Sequence, residues 1–356
     1  MLTSIFGAFK AFLKRTLQRL AVYLLAVFVV SPLTISLAFA EQKLVAIEGR
    51  TMGTTYHITW VAKSSFTAEQ TANLQAKIDL RLLDINQAMS TYIPNSELSL
   101  FNKTASGTAQ KVSAQLYRVL EMARKISVQS AGAYDITVGP LINLWGFGPD
   151  KRVTKAPSAE QIAAIRKRVG YQHLKLLADN KIKKEADLYL DLSSIAKGYA
   201  VDQLAKIVAD AGFTAYLVEI GGELVSRGLK PQSQPWRIAI ESPIAGRTVQ
   251  RVVRVDDVAV ATSGDYRNYF EEQGRRYSHI IDTATGRPIT HNLASVTVLA
   301  ENCALADGLA TAFLAMGVEK SYLYAIDNGI EAFFIIKGKT GFIEKMTPGF
   351  AQRIVQ

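Results

Sequence analysis

Residues 303–317 read Cys-Ala-Leu-Ala-Asp-Gly-Leu-Ala-Thr-Ala-Phe-Leu-Ala-Met-Gly, and this run limits the possible folds more than any other. It follows a strand-like stretch, Ser295–Leu299, and has a helical period. Leu305, Leu309, Phe313 and Leu314 make most of its faces apolar, so the helix belongs inside a packed core. Asp307 and Thr311 are four residues apart and share one face. A buried carboxylate needs a partner, and a metal is a natural one. Carboxylate and hydroxyl oxygens are hard donors that suit Mg²⁺ better than zinc. The bland alternative is a polar stripe on a partly exposed helix; the apolar neighbours argue against it.

A second polar cluster, Asp191-Leu-Ser-Ser194-Ile-Ala-Lys197, joins an expected strand, Leu188–Leu192, to a helix running to Ala211. Ser193 or Ser194 can cap that helix. Helix N-termini attract phosphate, whereas Lys197 in the first turn opposes the dipole. A nearby anion or carboxylate offsets that cost, and Asp191 is one candidate. Taken alone, the cluster fits a structural and a ligand-binding reading equally. A hard metal together with a lysine suggests a phosphate-bearing ligand.

The rest of the chain predicts an α+β fold, because helices and strands mix without regular alternation. Strands are expected at Leu44–Glu48, Thr54–Val61, Ala215–Glu219, Arg237–Ile240, Val252–Val255, Val258–Thr262 and Glu331–Ile336. Tyr269–Glu272 and Tyr277–Ile281 read as a hairpin around Gln273-Gly274. Helices are expected over Thr67–Met89, from a Ser113 cap to about Ser130, from Pro157-Ser158, and over Val318–Asn328. Gly132–Pro149, rich in glycine, proline and aromatics, reads as a tightly built loop lining a site. Two strand ends finish in small residues, Gly221-Gly222-Glu223 and Thr262-Ser263-Gly264; each is a weak sign of close backbone approach. Tyr92 is either a core anchor or a ring that stacks on a planar ligand. Among the four histidines, His279 leads into a turn, Thr285-Gly-Arg-Pro, that could line a cleft. A histidine of ordinary pKa can act as a base near neutral pH.

Residues 1–40 differ from the remainder. Lys10, Lys14, Arg15 and Arg19 precede an apolar run, and Ala38-Phe-Ala40 before Glu41 fits signal cleavage. The expectation is a signal peptide over 1–40 and one domain over 41–356; the alternative is an uncleaved anchor, since Leu20–Ala40 is long enough to span a bilayer. The net charge of +10 includes those four cations. No basic run interleaved with aromatics marks a nucleic-acid surface. Cys303 is the single cysteine, which excludes an intramolecular disulfide or a CxxC metal site. There is no GxGxxG or P-loop to support a Rossmann or Walker site.

Together these segments resemble the ApbE family, the FAD:protein FMN transferases, over essentially all of residues 41–356. The resemblance is carried by Thr51-Met-Gly-Thr, Met89-Ser-Thr-Tyr, Gly132–Pro149, Asp191–Asp202, Gly221-Gly222, Ala261-Thr-Ser-Gly-Asp-Tyr-Arg-Asn-Tyr and Ser278-His-Ile-Ile-Asp-Thr-Ala-Thr-Gly-Arg-Pro. It implies a single two-lobed α+β domain with mixed sheets, packed helices and FAD in a cleft between lobes. Met52, Tyr92, Ala133, Tyr134, Asp135, Asp191, Lys197 and Ile281 match FAD-contacting positions. Ser194, Asp307 and Thr311 match Mg²⁺ positions, and His279 matches the family histidine, assigned as general base.

The reaction so implied is attack by a Thr or Ser hydroxyl of a target protein on the FMN-side phosphorus of FAD, with AMP leaving. Implied acceptors carry an Asp-x-x-[Ser/Thr]-Gly-Ala-[Ser/Thr] motif, absent from this chain, and include redox-pump subunits and periplasmic electron carriers. The expected location is the periplasm or the periplasmic face of the inner membrane. Two departures stand out. No cysteine follows Ala40, so the lipoprotein form of many exported members is unsupported. Ala310 precedes Thr311, which removes a carboxylate that some members carry. The competing readings are an FAD pyrophosphatase giving AMP and FMN, and a non-catalytic periplasmic flavin-binding protein.

Overall fold

The computed structural model describes residues 41–148, 155–244, 248–266 and 269–355. The expected leader lies outside the described residues; among those described, no helix is long and apolar enough to cross a membrane. Residues Lys43–Gln356 form one compact unit.

Its frame is an eight-stranded sheet of β1 (Gln42–Thr51), β2 (Thr54–Lys63), β3 (Tyr216–Ile220), β4 (Glu223–Arg227), β5 (Ala259–Gly264), β6 (Leu293–Ala300), β7 (Glu331–Lys337) and β8 (Phe342–Met346). These strands lie side by side in chain order, and from β2 to β8 each neighbour is antiparallel. Every other element is an excursion from this meander. Strand side chains alternate between faces, and here both faces are covered. In β7, Ala332, Phe334 and Ile336 enter the main core, while Phe333 and Ile335 enter a second core on the other side.

The main core is shared with helices α1 (Ala68–Met89), α2 (Ala114–Gln129), α3 (Ala196–Asp210), α4 (Cys303–Met316) and α5 (Val318–Asp327). The second core takes Ile240, Val253 and Phe350 from the strand pair Arg237–Glu241/Val249–Arg254 and the C-terminal turn. A third, smaller cluster joins Leu141, Trp145, Ile162 and Ile281. The α+β class is as expected. Thr67 caps α1 with a reciprocal Gln70 box, and Ser113 caps α2.

Four local expectations change. Leu188–Leu192 is no strand, because side chains and isolated backbone bonds, rather than a ladder, take up its backbone groups. Asn102 Nδ2 donates to Leu190 O at 2.9 Å and Asn102 Oδ1 accepts from Leu190 N at 2.8 Å. Buried Lys184 donates to Leu188 O, and Asp191 N donates to Ile136 O. Neither Ser193 nor Ser194 caps α3; Ile195 holds the N-cap position without a side-chain bond. The expected Tyr277–Ile281 strand breaks at His279, since Arg275–Ser278 pairs with Tyr269–Glu272 and Ile281-Asp282 pairs with Arg287-Pro288. Finally, the expected Gly132–Pro149 loop, whose last residue lies outside the described residues, contains a short helix, Gly139–Leu144.

α3 and α4 cap one another. Asp202 of α3 accepts from the N–H groups of Cys303 and Ala304 at 2.7 and 2.9 Å. Asp307 of α4 accepts from Gly198 N–H at 3.0 Å. These carboxylates satisfy donors that a helix leaves open in its first turn. The helices approach so closely that a Cβ on Gly198 would lie 2.3 Å from Cys303 O. Gly198→Ala is therefore expected to cost about 1–3 kcal/mol, the usual penalty of an overpacked core. It should also displace Asp307. A lowered thermal midpoint together with lost activity checks this; a midpoint equal to that of the parent would show that the helices can separate freely.

Candidate active site

A cavity of about 400 Å³ opens where several of these segments meet. Its wall is formed by α4, the start of α3, the β3–β4 turn, the end of β5, and the 133–142 and 279–283 segments. Ala133, Tyr134, Asp135, Asp191, Ser194, Lys197, His279, Ile281, Asp307 and Thr311, all expected site residues, line it. Met52 and Tyr92 are not among the lining residues. Met52, at positive φ in the β1–β2 turn, packs against the main core. The start of β2, just past that turn, adjoins the cavity wall, since Gly221 N donates to Thr55 O. Tyr92 is 68% exposed; partial burial and then the Asp191 carboxylate raise its phenol pKa.

The floor is charged and dry. Asp307 is only 4% exposed and Glu223 also only 4%. Lys197 forms an ion pair with Glu223 Oε1. The sequence left Asp191 as a candidate partner for this lysine; the pairing is with Glu223 instead, and Asp191 Oδ1 accepts from Ser193 N–H in a local turn. Burial raises the Asp307 carboxyl, against the pull of Lys197 and the Gly198 N–H. Burial likewise raises Glu223, with Lys197 opposing and Asp307 adding to the rise. For Lys197, burial pulls the ammonium down, but Glu223 and Asp307 outweigh it and the net direction is up. One cation thus serves two buried carboxylates, and the ionised set is one negative charge in excess.

Hydroxyls surround this set. Ser194 Oγ donates to the Tyr134 hydroxyl at 3.1 Å, and Thr311 Oγ1 lies 3.1 Å from Ser263 Oγ. Burial, reinforced by the Asp307, Asp135 and Asp191 carboxylates and opposed only by the Ser194 bond, holds the Tyr134 phenol far above its ordinary value. Asp135 has a structural duty as well as a lining position: it accepts from Thr137 N–H, Thr137 Oγ1 and Tyr171 N–H.

His279 stands at the break after the hairpin, its ring 6.3 Å from that of Phe147. Phe147 in turn packs on Phe270, which stacks on Tyr277 at 5.0 Å. Trp145 Nε1 donates to Gly286 O, and Thr283 Oγ1 donates to Gly132 O. These bonds tie the 279–287 segment to the 132–145 segment and so set the His279 side of the cavity.

The donor set suits a hard cation. Among the described residues no group of three His, Cys, Asp or Glu could hold a metal, so a soft-metal site has no support. Oxygen donors from Ser194, Asp307 and Thr311 do fit Mg²⁺, which takes one or two carboxylates and keeps waters. The Oε2 atom of Glu223 is buried without a hydrogen-bond partner among the described residues, an orphaned acceptor beside the same donors. Sequence reasoning missed the parts played by Glu223, Ser263 and Thr283. The one signal available was the pair of glycine-terminated strand ends, and both reach this wall.

Comparison with known proteins agrees with this geometry. The ApbE family model matches residues 52–334. An FAD:protein FMN transferase of Vibrio cholerae serotype O1 is 46% identical over 312 residues, spanning 87% of this chain and 92% of its own. The FAD:protein FMN transferase of Escherichia coli K12 is 40% identical over 315 residues, spanning 87% and 89%. The solved flavin transferase ApbE from Vibrio cholerae has a TM-score of 0.81 at 43% identity, covering 88% of this chain and 100% of that one. The apo flavinyl transferase ApbE of Pseudomonas stutzeri has a TM-score of 0.81 at 41% identity, covering 88% and 97%. With the family model spanning most of its length and relatives this similar over most of theirs, the chain belongs to the ApbE family.

Proposed function

We propose that this protein is an FAD:protein FMN transferase, dependent on a divalent cation and acting on a Thr or Ser hydroxyl of another protein. The observation that carries the reading is Lys197 beside the buried carboxylates Asp307 and Glu223, with Ser194 and Thr311 in the same cavity, which His279 also lines. Lys197 suits a pyrophosphate. Ser194, Asp307 and Thr311 would hold Mg²⁺, which supplies charge neutralisation for the pyrophosphate when bound. The acceptor oxygen forms a bond to the FMN-side phosphorus as the bond to the AMP-side bridging oxygen breaks. The hydroxyl proton passes to His279, and AMP leaves with the bridging oxygen. The apolar side chains of Ile142 and Ile281, which line the cavity, reduce the water beside the reacting atoms. The leader over 1–40 supports export, with acceptors met in the periplasm or at the periplasmic face of the inner membrane.

The test is incubation of the purified protein with FAD, Mg²⁺ and a small domain bearing the Asp-x-x-[Ser/Thr]-Gly-Ala-[Ser/Thr] motif, read by intact mass. A gain of one FMN group on the acceptor, lost with EDTA, is expected. Release of AMP and free FMN without a mass gain would overturn transfer in favour of hydrolysis. No consumption of FAD would leave a binding protein.

A further inference from the structure

We infer that Glu223 is a second carboxylate ligand of the divalent cation, contributing Oε2 alongside Asp307; this rests on the cation-dependent reading above. Glu223 is the first residue of β4 and pairs with Ile220 across the Gly221-Gly222 turn. Both glycines have positive φ, 60° and 106°, and a Cβ on Gly221 would lie 2.8 Å from Thr54 Cγ2. The turn is therefore set by glycine, and a sheet end holds the carboxylate more rigidly than a loop would.

The two oxygens of Glu223 have different surroundings. Oε1 receives Lys197. Oε2 is buried and has no partner among the described residues. Leaving a charged acceptor dry and unbonded is costly, so an ion or ordered water belongs there. The side chain lines the cavity that Asp307, Ser194 and Thr311 also line. When both are ionised, the floor carboxylates Asp307 and Glu223 outnumber the one ammonium beside them, Lys197, and a dication would supply the balance. A ligand role also explains why Lys197 takes only one oxygen: its salt bridge orients the carboxylate and leaves Oε2 directed at the cation. The alternative is that Glu223 is solely a counter-ion for Lys197.

Mn²⁺ serves as the probe, bound to the purified protein without FAD and read by electron paramagnetic resonance. Glu223→Asp keeps the charge but shortens the reach. It is expected to weaken Mn²⁺ binding by roughly tenfold or more and to add one water to the bound ion, measured by ¹⁷O relaxation. A counter-ion role predicts unchanged affinity and water count, and that result overturns the inference. Asp307→Ala, measured in parallel, separates the two failures. If it loses Mn²⁺ while Glu223→Asp binds normally, only the Glu223 assignment falls; if it too binds normally, the cation site itself falls, and Glu223 with it. Should Glu223→Asp fold poorly, Glu223→Ala, which offers the ion no oxygen, is read by the same water count, where an unchanged count likewise overturns the assignment.

Discussion

Asp307→Ala is expected to abolish FMN transfer while leaving weaker FAD binding. The substitution removes the one carboxylate that the helix α4 carries into the cavity, and with it a hard donor for the cation. Electrostatic groups of this kind carry roughly 10²–10³-fold each in rate, and loss of the ion itself should exceed that. The same substitution opens a second wound, since Gly198 N–H loses its acceptor. An unsatisfied buried donor costs about 1–3 kcal/mol. Asp307→Asn distinguishes the two effects. Its amide oxygen can still accept from Gly198, so it should melt close to the parent, yet it lacks the charge and should be nearly as inactive as the alanine variant. Turnover measured with saturating Mg²⁺, beside FAD affinity by flavin fluorescence, gives the comparison. Unchanged turnover in either variant would sink the metal assignment.

Asp307 and Thr311 were legible because two independent signals coincide: an apolar period on nearly every face of one helix, and two oxygen donors four residues apart. The burial of Asp307 then follows from local sequence alone, with Thr311 half-buried one turn on. Lys197 was legible as an oddity, a cation at the wrong end of a helix, but its partner was not. Glu223 lies on a different strand, and only the sheet order brings the two together. The segment Leu188–Leu192 shows the same limit from another side. Its residues favour extended backbone, but a ladder needs a partner strand. Here Asn102 supplies a side-chain amide in place of one, and no local pattern announces that. His279 is a third case. Tyr277–Ile281 reads as continuous strand, yet pairing changes partners within it, so the histidine falls at a discontinuity rather than in a ladder. In each case composition sets what a segment prefers, while long-range contact decides what it meets.

The break at His279 underlies the second large effect. A residue between two paired segments can turn its side chain into a cavity without disturbing a ladder, and its neighbours hold it there: Ile280 N–H donates to Ser278 Oγ, and Ile289 N–H donates to Ile280 O. His279→Ala should therefore leave the backbone in place and fold normally. Loss of a general base slows its step by about 10²–10⁴-fold, so transfer should fall by that order with FAD affinity changed only a few-fold. The separation follows from the proposed role, because the proton is taken from the acceptor hydroxyl and not from FAD. His279→Phe keeps a ring against Phe147 but has no nitrogen to accept a proton; it should match the alanine variant in rate and the parent in thermal midpoint. If FAD affinity and turnover fall together in both variants, His279 acts by shaping the flavin side of the cavity, and the proton must go elsewhere. If the phenylalanine variant alone recovers turnover, the ring's packing against Phe147 is what matters.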